Sequence, residues 1–139
     1  MIPLSAPRLT RSGLEREQVQ DLRRSVFCGE LSWDREAVDD GWDGDAELAL
    51  AVEGVKPVGT ARLLHRGDEW HLELLAVLPR QRRQGRGRGL VEFLAALARR
   101  KGAVRLLAVA NREAGPFFSA CGFALDQEQG NAQVYSRLL

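Results

Sequence analysis

Cysteine is scarce in this chain, which has only Cys28 and Cys121 among its 139 residues. Their wide separation matches no metal-binding or redox motif, so the sequence predicts two free thiols and no bound metal. Long apolar runs are also missing, since none approaches the roughly 20 residues that a membrane-spanning helix needs. Residues 1–10 lack the apolar stretch of a signal peptide. We therefore expect a single cytoplasmic domain, residues 1–139, with no membrane partner.

Two common nucleotide-binding motifs are absent as well. Gly85, Gly87 and Gly89 are spaced as G-x-G-x-G, which differs from the G-x-G-x-x-G of dinucleotide-binding domains. No Lys-Ser or Lys-Thr pair follows these glycines, which excludes a nucleotide P-loop. A phosphate site built on these glycines must therefore belong to another class.

The stretch Trp70–Lys101 has the order strand, proline, glycine-rich turn and helix. Residues 70–77 suit a half-buried strand, which Pro79 ends because proline cannot donate a hydrogen bond to a sheet. From Leu90 onward, apolar residues recur at helical spacing. Period-two alternation places four side chains of the strand on one face: His71, Glu73, Leu75 and Val77.

The glycine-rich turn in this stretch predicts an anion site. The first backbone N–H groups of a helix lack intrahelical partners, and the helix dipole favours negative charge beside them. Glycines let a ligand approach the backbone closely. Five arginines surround the turn: Arg80, Arg82, Arg83, Arg86 and Arg88. We therefore expect a phosphate group to bind here.

The remaining elements complete a mixed α/β (α+β) domain. The pattern predicts strands near 7–11, 47–53, 57–65, 104–109, 123–126 and 133–138, and helices at 14–27 and 111–121. Residues 30–45 carry turn signals and are predicted to form a loop. Three consecutive strands make an antiparallel meander, and a strand–helix–strand unit adds one parallel pair. The predicted sheet is mostly antiparallel and flanked by helices.

Two motifs in this order resemble the GNAT superfamily of N-acetyltransferases. The pattern Arg82-x-x-Gly85-x-Gly87, after the strand, is similar to the loop that binds the acyl-CoA pyrophosphate in that superfamily. Residues 109–123, with an asparagine, a Phe-Phe pair and a Gly-Phe, are similar to its C-terminal signature. The likeness spans about residues 14–139. Residues 26–30 are similar to an ElaA-like bacterial branch.

The resemblance implies a V-shaped splay between the fourth and fifth strands, and acetyl-CoA as the acyl donor. It implies an N-acetyltransferase that moves an acetyl group directly to a primary amine of a small molecule or peptide. A weakly catalytic or non-catalytic acyl-CoA-binding module is the alternative. A backbone N–H at Val77 or Leu78 is implied to polarise the thioester carbonyl. The implied cofactor-binding residues are Leu75, Val77, Leu78, Arg82, Arg83, Gln84, Gly85, Arg86, Gly87, Arg88, Asn111, Phe117 and Phe118.

An amine acceptor must lose a proton before it can attack a thioester. An alkyl ammonium, with a pKa of about 10.4, is mostly charged at neutral pH. His71 and Glu73 are the candidate bases on the central strand, and Glu30 is a third choice. The alternative for His71 and Glu73 is that they are exposed polar side chains without a catalytic role.

The leaving thiolate needs a proton in return. Many members of the superfamily have a tyrosine for this role where this chain has Phe118, which has no proton to give. Tyr135, Ser119, a water molecule and unassisted departure of the thiolate are the alternatives left open. Cys121 is expected to be a small buried residue.

Acidic residues dominate residues 30–53, which hold nine acidic side chains and one base, Arg35. This charge favours a cationic amine acceptor, with Glu30, Trp33 and Trp42 as candidate substrate-binding residues. A solvated acidic surface, with the tryptophans at the edge of the core, is the alternative. Residues 80–88 have no aromatic residue for base stacking, so no nucleic acid partner is expected. The chain is expected to be a monomer or a homodimer.

Overall fold

The computed structural model describes residues 5–139. The prediction that residues 1–10 contain no signal peptide therefore lies partly outside the described residues. The helices are α1 (Gly13–Arg23), α2 (Arg35–Val38), α3 (Arg86–Arg100) and α4 (Gly115–Ala120). The strands are β1 (Arg8–Leu9), β2 (Ala46–Glu53), β3 (Lys56–Arg66), β4 (Glu69–Val77), β5 (Arg105–Ala110), β6 (Ala124–Gln129) and β7 (Ala132–Leu138). Each predicted strand is present.

The strands form one seven-stranded sheet in the order β1-β2-β3-β4-β5-β7-β6. The pair of β4 and β5 is parallel, and the other neighbours are antiparallel. The predicted mixed, mostly antiparallel sheet with one parallel junction is therefore confirmed. No helix within residues 5–139 is both long and apolar enough to cross a membrane.

Helices cover both faces of the sheet. Leu90, Val91 and Leu94 of α3 pack with Phe118 of α4 in one core cluster on one face. Val19 of α1 belongs to a separate cluster with β2 and β3 on the other face. Burial on both faces explains why β3 carries a continuous buried run rather than strict alternation.

The first helix runs further than the sequence predicts. Ser12 caps α1 by accepting a hydrogen bond from the Glu15 N–H at 3.2 Å. Beyond Arg23 the chain continues as a π-helical segment, Arg24–Glu30, which extends past residue 27, the predicted end of the helix. Wider helical turns of this kind occur at functional sites. Here the segment carries Phe27 and Glu30 to the end of the sheet where β4 stops.

Residues 30–45 are more ordered than the predicted loop. They contain the short helix α2 and a 3₁₀ turn at Asp43–Asp45. Val38 is 1% exposed and packs with Leu22 and Val26. A single buried valine therefore anchors a segment whose composition is otherwise that of a solvated turn.

Candidate active site

A bulge interrupts β4 at Leu74, whose φ of 51° lies in the left-handed region. The pairing with β3 moves from Arg62 opposite Glu73 to Thr60 opposite Ala76, so two residues of β4 share one partner. An extra residue reverses the alternation of side chains beyond it. The bulge thus changes which side chains face the helices.

The prediction that His71, Glu73, Leu75 and Val77 share one face is wrong for this reason. Leu75 and Val77 pack against the core cluster beneath α3. Glu73 precedes the bulge and lies on the opposite face, where it accepts a hydrogen bond from Arg62 at 2.6 Å.

The strands β4 and β5 separate after a short contact. They pair only from Trp70–Leu72 to Leu106–Ala108, and this confirms the predicted splay between the fourth and fifth strands. A cavity of about 210 Å³, here called the splay cavity, lies in the opening. Its lining residues are Phe27, Leu31, Trp33, Leu72, Leu74, Leu75, Val109, Ala110, Asn111, Ala114, Phe117 and Phe118.

A second cavity of about 660 Å³, here called the α3 cavity, adjoins the first at the N-terminus of α3. The two cavities share Phe27, Leu31, Leu75 and Phe117. Nine of the predicted cofactor-binding residues line the α3 cavity: Leu75, Val77, Arg82, Arg83, Gly85, Arg86, Gly87, Arg88 and Phe117. Asn111 and Phe118 line the splay cavity, whereas Leu78 and Gln84 line neither.

The start of α3 offers unpaired donors to the α3 cavity. Gly85 is the N-cap, with a φ of 83° that a side chain would strain. The first backbone bond inside the helix runs from the Gly89 N–H to the Gly85 carbonyl at 2.9 Å. The N–H groups of residues 86–88 have no acceptor within residues 5–139. Together with the helix dipole they form an anion-binding terminus.

Gly87 lies inside the first turn of α3, although the sequence predicted a turn there. A Cβ added at Gly87 would lie 3.2 Å from the ring of Phe117. A Cβ at this position would therefore require the Phe117 ring to shift by a few tenths of an ångström. A larger side chain would push this ring or fill the cavity mouth.

The arginines around the turn differ in their contacts. Arg86 is buried, and it donates to Gln81 at 2.9 Å and to the Val52 carbonyl at 3.2 Å. Arg82 forms a two-pronged ion pair with Glu30 at 2.6 and 2.7 Å, and this contact raises the pKa of Arg82.

Three arginine side chains of the turn remain available. Arg80, Arg83 and Arg88 form no ion pair or side-chain hydrogen bond with any residue in the range 5–139. Only Arg83 and Arg88 of these line the α3 cavity. They are the two guanidinium groups that an incoming anion meets without first breaking a contact.

The two backbone donors proposed for the thioester differ in availability. The Leu78 N–H donates to the Val58 carbonyl at 2.9 Å, so it is engaged by β3. Successive N–H groups of a strand point in opposite directions, so the Val77 N–H points away from β3. The carbonyl of Val77 accepts from Arg82 at 2.9 Å. The geometry thus favours Val77.

Asn111 is divided between two roles. Its side-chain oxygen caps the next turn by accepting from the Ala114 N–H at 3.2 Å. Its amide nitrogen has no acceptor among residues 5–139, and the residue lines the splay cavity. It is the one side-chain amide in the lining that the described residues form.

The two candidate bases on β4 belong to a charge network instead of a cavity wall. Glu73 accepts from Arg62 at 2.6 Å and from Arg66 at 2.9 Å. His71 lies 3.8 Å from Glu73 through Nδ1 and 3.5 Å from Glu69 through Nε2. Neither base lines the splay cavity or the α3 cavity. Their role in catalysis stays a prediction.

The carboxylates of residues 30–45 are largely paired within the fold. Asp39 binds Arg24 and Arg35. Asp40 binds Arg62 at 2.7 Å, and this contact lowers the pKa of Asp40. The segment is therefore not the free negative surface that its composition indicates.

The two tryptophans of this segment lie in different places. Trp33 stacks on Phe27, with ring centroids 4.6 Å apart, and lines the splay cavity. Trp42 lies beneath the guanidinium of Arg66, 5.0 Å from the ring centroid, and lines neither cavity. Only Trp33 is placed where a substrate wall is needed.

The family model described as "Acetyltransferase (GNAT) family" matches residues 16–123. This chain belongs to the GNAT family. No curated protein matches it at a significant level. Its fold is shared with solved structures at low identity, which shows a common architecture.

Three of these structures illustrate the match. The PaiA N-acetyltransferase from Thermoplasma acidophilum, in complex with coenzyme A, is 12% identical, with a TM-score of 0.78 over 97% of this chain and 100% of that one. An aminoglycoside 6'-N-acetyltransferase complexed with coenzyme A is 15% identical, with a TM-score of 0.81 over 96% and 97%. Escherichia coli ElaA is 19% identical, with a TM-score of 0.76 over 99% of both chains. At this identity an ElaA-like branch stays a prediction.

This GNAT domain has Phe118 at the position where the resemblance implies a tyrosine acid. Phe118 is 5% exposed and stacks against Tyr135. The Tyr135 hydroxyl donates to Gln133 at 2.5 Å and lines neither cavity. Burial raises the pKa of the Cys121 thiol, which is consistent with the expected small buried residue. The role of Tyr135 as the acid stays a prediction, and its hydroxyl does not line the splay cavity.

Sequence reasoning missed two walls of this GNAT site and one charged centre. Phe27 and Leu31 line both cavities, and the sequence signals at Phe27 were its place in an apolar helical stripe and in the ElaA-like residues 26–30. Arg62 is 1% exposed in the middle of an otherwise apolar strand. A lone arginine between apolar residues was the signal that a buried partner existed.

Proposed function

We propose that this protein transfers an acetyl group from acetyl-CoA to a primary amine by direct attack in a ternary complex. One observation carries the proposal: a continuous pair of cavities joins the unpaired start of α3 to the opening between β4 and β5. A helix N-terminus favours phosphate, and an opening between diverging strands is a usual ligand crevice.

The residues of the α3 cavity fit the phosphate end of acetyl-CoA. The backbone N–H groups of residues 86–88 would hold the pyrophosphate, and Arg83 and Arg88 would add charge. Gly87 keeps the terminus open beside Phe117. When bound, acetyl-CoA supplies the acetyl group as an activated thioester.

Other side chains would serve the thioester end. The Val77 N–H is directed away from β3 and would stabilise negative charge on the carbonyl oxygen. The Asn111 amide would donate to the pantetheine arm on the β5 side of the splay cavity, which leaves the opposite wall, with Phe27 and Trp33, to the acceptor. The apolar lining excludes water, and this strengthens both contacts.

The first test is thermal unfolding with acetyl-CoA, with CoA and without ligand. A ligand at about 100 times its dissociation constant adds roughly 2.7 kcal/mol to the free energy of unfolding. Gly87→Leu should abolish the stabilisation, because its side chain meets Phe117 and fills the cavity mouth. Gly89→Ala is the matched control, because the nearest atom to its Cβ, in Pro7, is at 3.7 Å.

Activity is then measured as release of free CoA thiol with a panel of primary amines. Stabilisation by acetyl-CoA that survives in Gly89→Ala and is lost in Gly87→Leu supports the cofactor site. Absence of stabilisation by either ligand in the wild type would overturn the proposal.

A non-catalytic acyl-CoA-binding module is the second candidate function. It is favoured by one observation: no ionisable side chain within residues 5–139 lines the splay cavity. Phe118→Tyr would place a hydroxyl on this wall. Acetyl-CoA binding without turnover in the wild type and in Phe118→Tyr would support the binding module.

A further inference from the structure

The wall of the splay cavity opposite β5 is apolar and aromatic. The backbone N–H of Trp33 donates to the Phe27 carbonyl at 2.8 Å, and the two rings stack with an interplanar angle of 26°. Trp33 keeps 41% of its surface exposed, so one side of the indole remains free. Leu31 and Leu74 complete this wall. The contact surface offered to an acceptor is therefore hydrophobic and includes a flat ring.

Charge is missing where an acceptor amine would lie. Of the described residues, 5–139, none with an ionisable side chain lines this cavity. The adjoining α3 cavity does carry charged groups, and two of them, Glu30 and Arg82, bind each other at 2.6 Å. An ammonium ion entering the splay cavity would lose its hydration without gaining a counter-ion.

Four of the seven acidic groups in residues 30–45 are paired elsewhere in the fold, and none of the seven lines the splay cavity. Asp43 binds Arg23 at 2.7 Å, and Asp40 binds Arg62 at 2.7 Å. Glu73 is held by Arg62 and Arg66. A polyamine or a lysine side chain in the splay cavity therefore meets neither a carboxylate nor a base in the lining that residues 5–139 form.

Resting on the proposed transferase function, we infer that the acceptor is a weakly basic amine attached to an apolar or aromatic group, which reacts in its uncharged form. At pH 7 about one α-amino group in ten is uncharged, compared with about one lysine side chain in 2,500. The nitrogen–carbon bond forms as the carbon–sulfur bond breaks. The proton that the nitrogen loses ends on the CoA sulfur, so no protein base has to be regenerated.

The test compares three amines with the wild-type protein and acetyl-CoA: phenylalaninamide, glycinamide and Nα-acetyl-lysinamide. The first two share an α-amine, so they isolate the apolar group, and the third carries a strongly basic amine. We expect kcat/KM for phenylalaninamide to exceed that for glycinamide by at least about tenfold. The lysine derivative should be the poorest of the three at pH 7.

Two variants locate the preference. Trp33→Ala should reduce the ratio of phenylalaninamide to glycinamide toward one while stabilisation by CoA stays unchanged. Trp42→Ala is the matched control, because it removes an indole of similar exposure, 45%, from the same segment but outside both cavities. An equal loss of the ratio in both variants would overturn the assignment of the wall.

The pH dependence supplies a readout that is independent of the variants. The profile of kcat/KM should follow the amine of each acceptor, with its midpoint near pH 8 and a plateau above about pH 9 for the α-amines, and a continuing rise at pH 9 for the lysine derivative. Calorimetry with the CoA-bound protein should show tighter binding of phenylalaninamide at pH 8.5 than at pH 6.5. One inflection shared by all acceptors would reveal a protein base and overturn the inference.

The outcomes separate this inference from the proposed function. If the three amines are acetylated equally well, the transferase stands and only the acceptor class is overturned. If acetyl-CoA stabilises the protein but no amine is acetylated, the transferase fails and the inference fails with it.

Discussion

Two groups of arginines in this protein have the same charge and opposite surroundings. Arg23, at the end of α1, and Arg62, on β3, have 0% and 1% of their surfaces exposed and lie among Asp40, Asp43 and Glu73. The second group, Arg83 and Arg88, lies at the mouth of the α3 cavity. That second pair has no ion-pair partner in the described part of the chain.

Pairing, not charge, separates the arginines that the fold itself uses from those that we propose for CoA binding. A buried guanidinium must be compensated by the fold, because an isolated buried charge is very costly. An exposed guanidinium beside free helix N–H groups keeps its capacity for an incoming anion. Changes in the first group should therefore affect stability, and changes in the second should affect binding.

Arg62→Met should have the largest effect. It removes the charge that three carboxylates share, at 2.7 Å from Asp40, 3.2 Å from Asp43 and 2.6 Å from Glu73. Loss of one partner of a buried ion pair costs about 3–5 kcal/mol. Urea unfolding measures this change, with Arg100→Gln as a control at an exposed arginine. A change below about 1 kcal/mol would contradict the structural role.

Asp40→Asn should be weaker and should depend on pH. Arg62 holds the pKa of Asp40 below its usual range. A carboxyl with a lowered folded pKa contributes stability above its unfolded pKa, about 3.9, and that contribution is lost as the pH falls through the folded value. The variant should lose about 1.5–3 kcal/mol at pH 7, the scale of a hydrogen bond to a charged group.

The difference between wild type and Asp40→Asn should narrow below pH 4, and chemical unfolding from pH 7 to pH 2 measures this trend. Asp68→Asn is the control at an exposed aspartate without an ion pair among residues 5–139. A difference that stays constant over the whole pH range would mean that the ionised carboxylate is not what stabilises the fold.

Arg83→Gln and Arg88→Gln should each weaken CoA about fivefold, the effect of roughly 1 kcal/mol that an exposed ion pair contributes. Stability without ligand should change by less than about 0.5 kcal/mol, because neither side chain has a partner to lose. Titration calorimetry at two salt concentrations measures the affinity for CoA, since screening reduces the contribution of exposed charges. Scanning calorimetry without ligand measures the stability. If Arg83→Gln and Arg88→Gln weaken CoA binding no more than Arg100→Gln does, neither arginine belongs to the CoA site.

Glu30→Gln should have the smallest effect and the opposite sign. Arg82 lowers the pKa of Glu30, so Glu30 is ionised at neutral pH and competes with a phosphate for this arginine. Removal of the charge should strengthen CoA binding by about two- to threefold. Weaker binding in the variant would instead mean that Glu30 holds Arg82 in its productive position.

Sequence patterns predicted much of the fold because they report local physics. Alternation located the strands, and the glycines with the following apolar spacing located the helix terminus now seen at Gly85. The same patterns misplaced the side chains beyond Leu74, because a bulge has no period of its own. Residues 30–45 were predicted as loop since the single anchor, Val38, cannot outweigh many turn residues.

The candidate site divides in the same way. The backbone cradle at residues 85–88 follows from glycine chemistry and helix geometry, so the sequence alone was sufficient to predict it. The exclusion of His71, Glu73 and Tyr135 from both cavities depends on register and burial. No local pattern contains that information.

By itself the sequence determined the order of the strands along the chain, the glycine-rich helix terminus and the family. The tertiary structure decided which charges are available. Glu30 and Arg82 are 52 residues apart in the chain, and Asp40 and Arg62 are 22 apart. An ion pair forms wherever folding brings two groups within about 4 Å, and its strength depends on how far the fold removes both from water. Charge counts along the chain therefore indicate a basic and an acidic segment, whereas only the folded protein decides which side chains of each segment are paired.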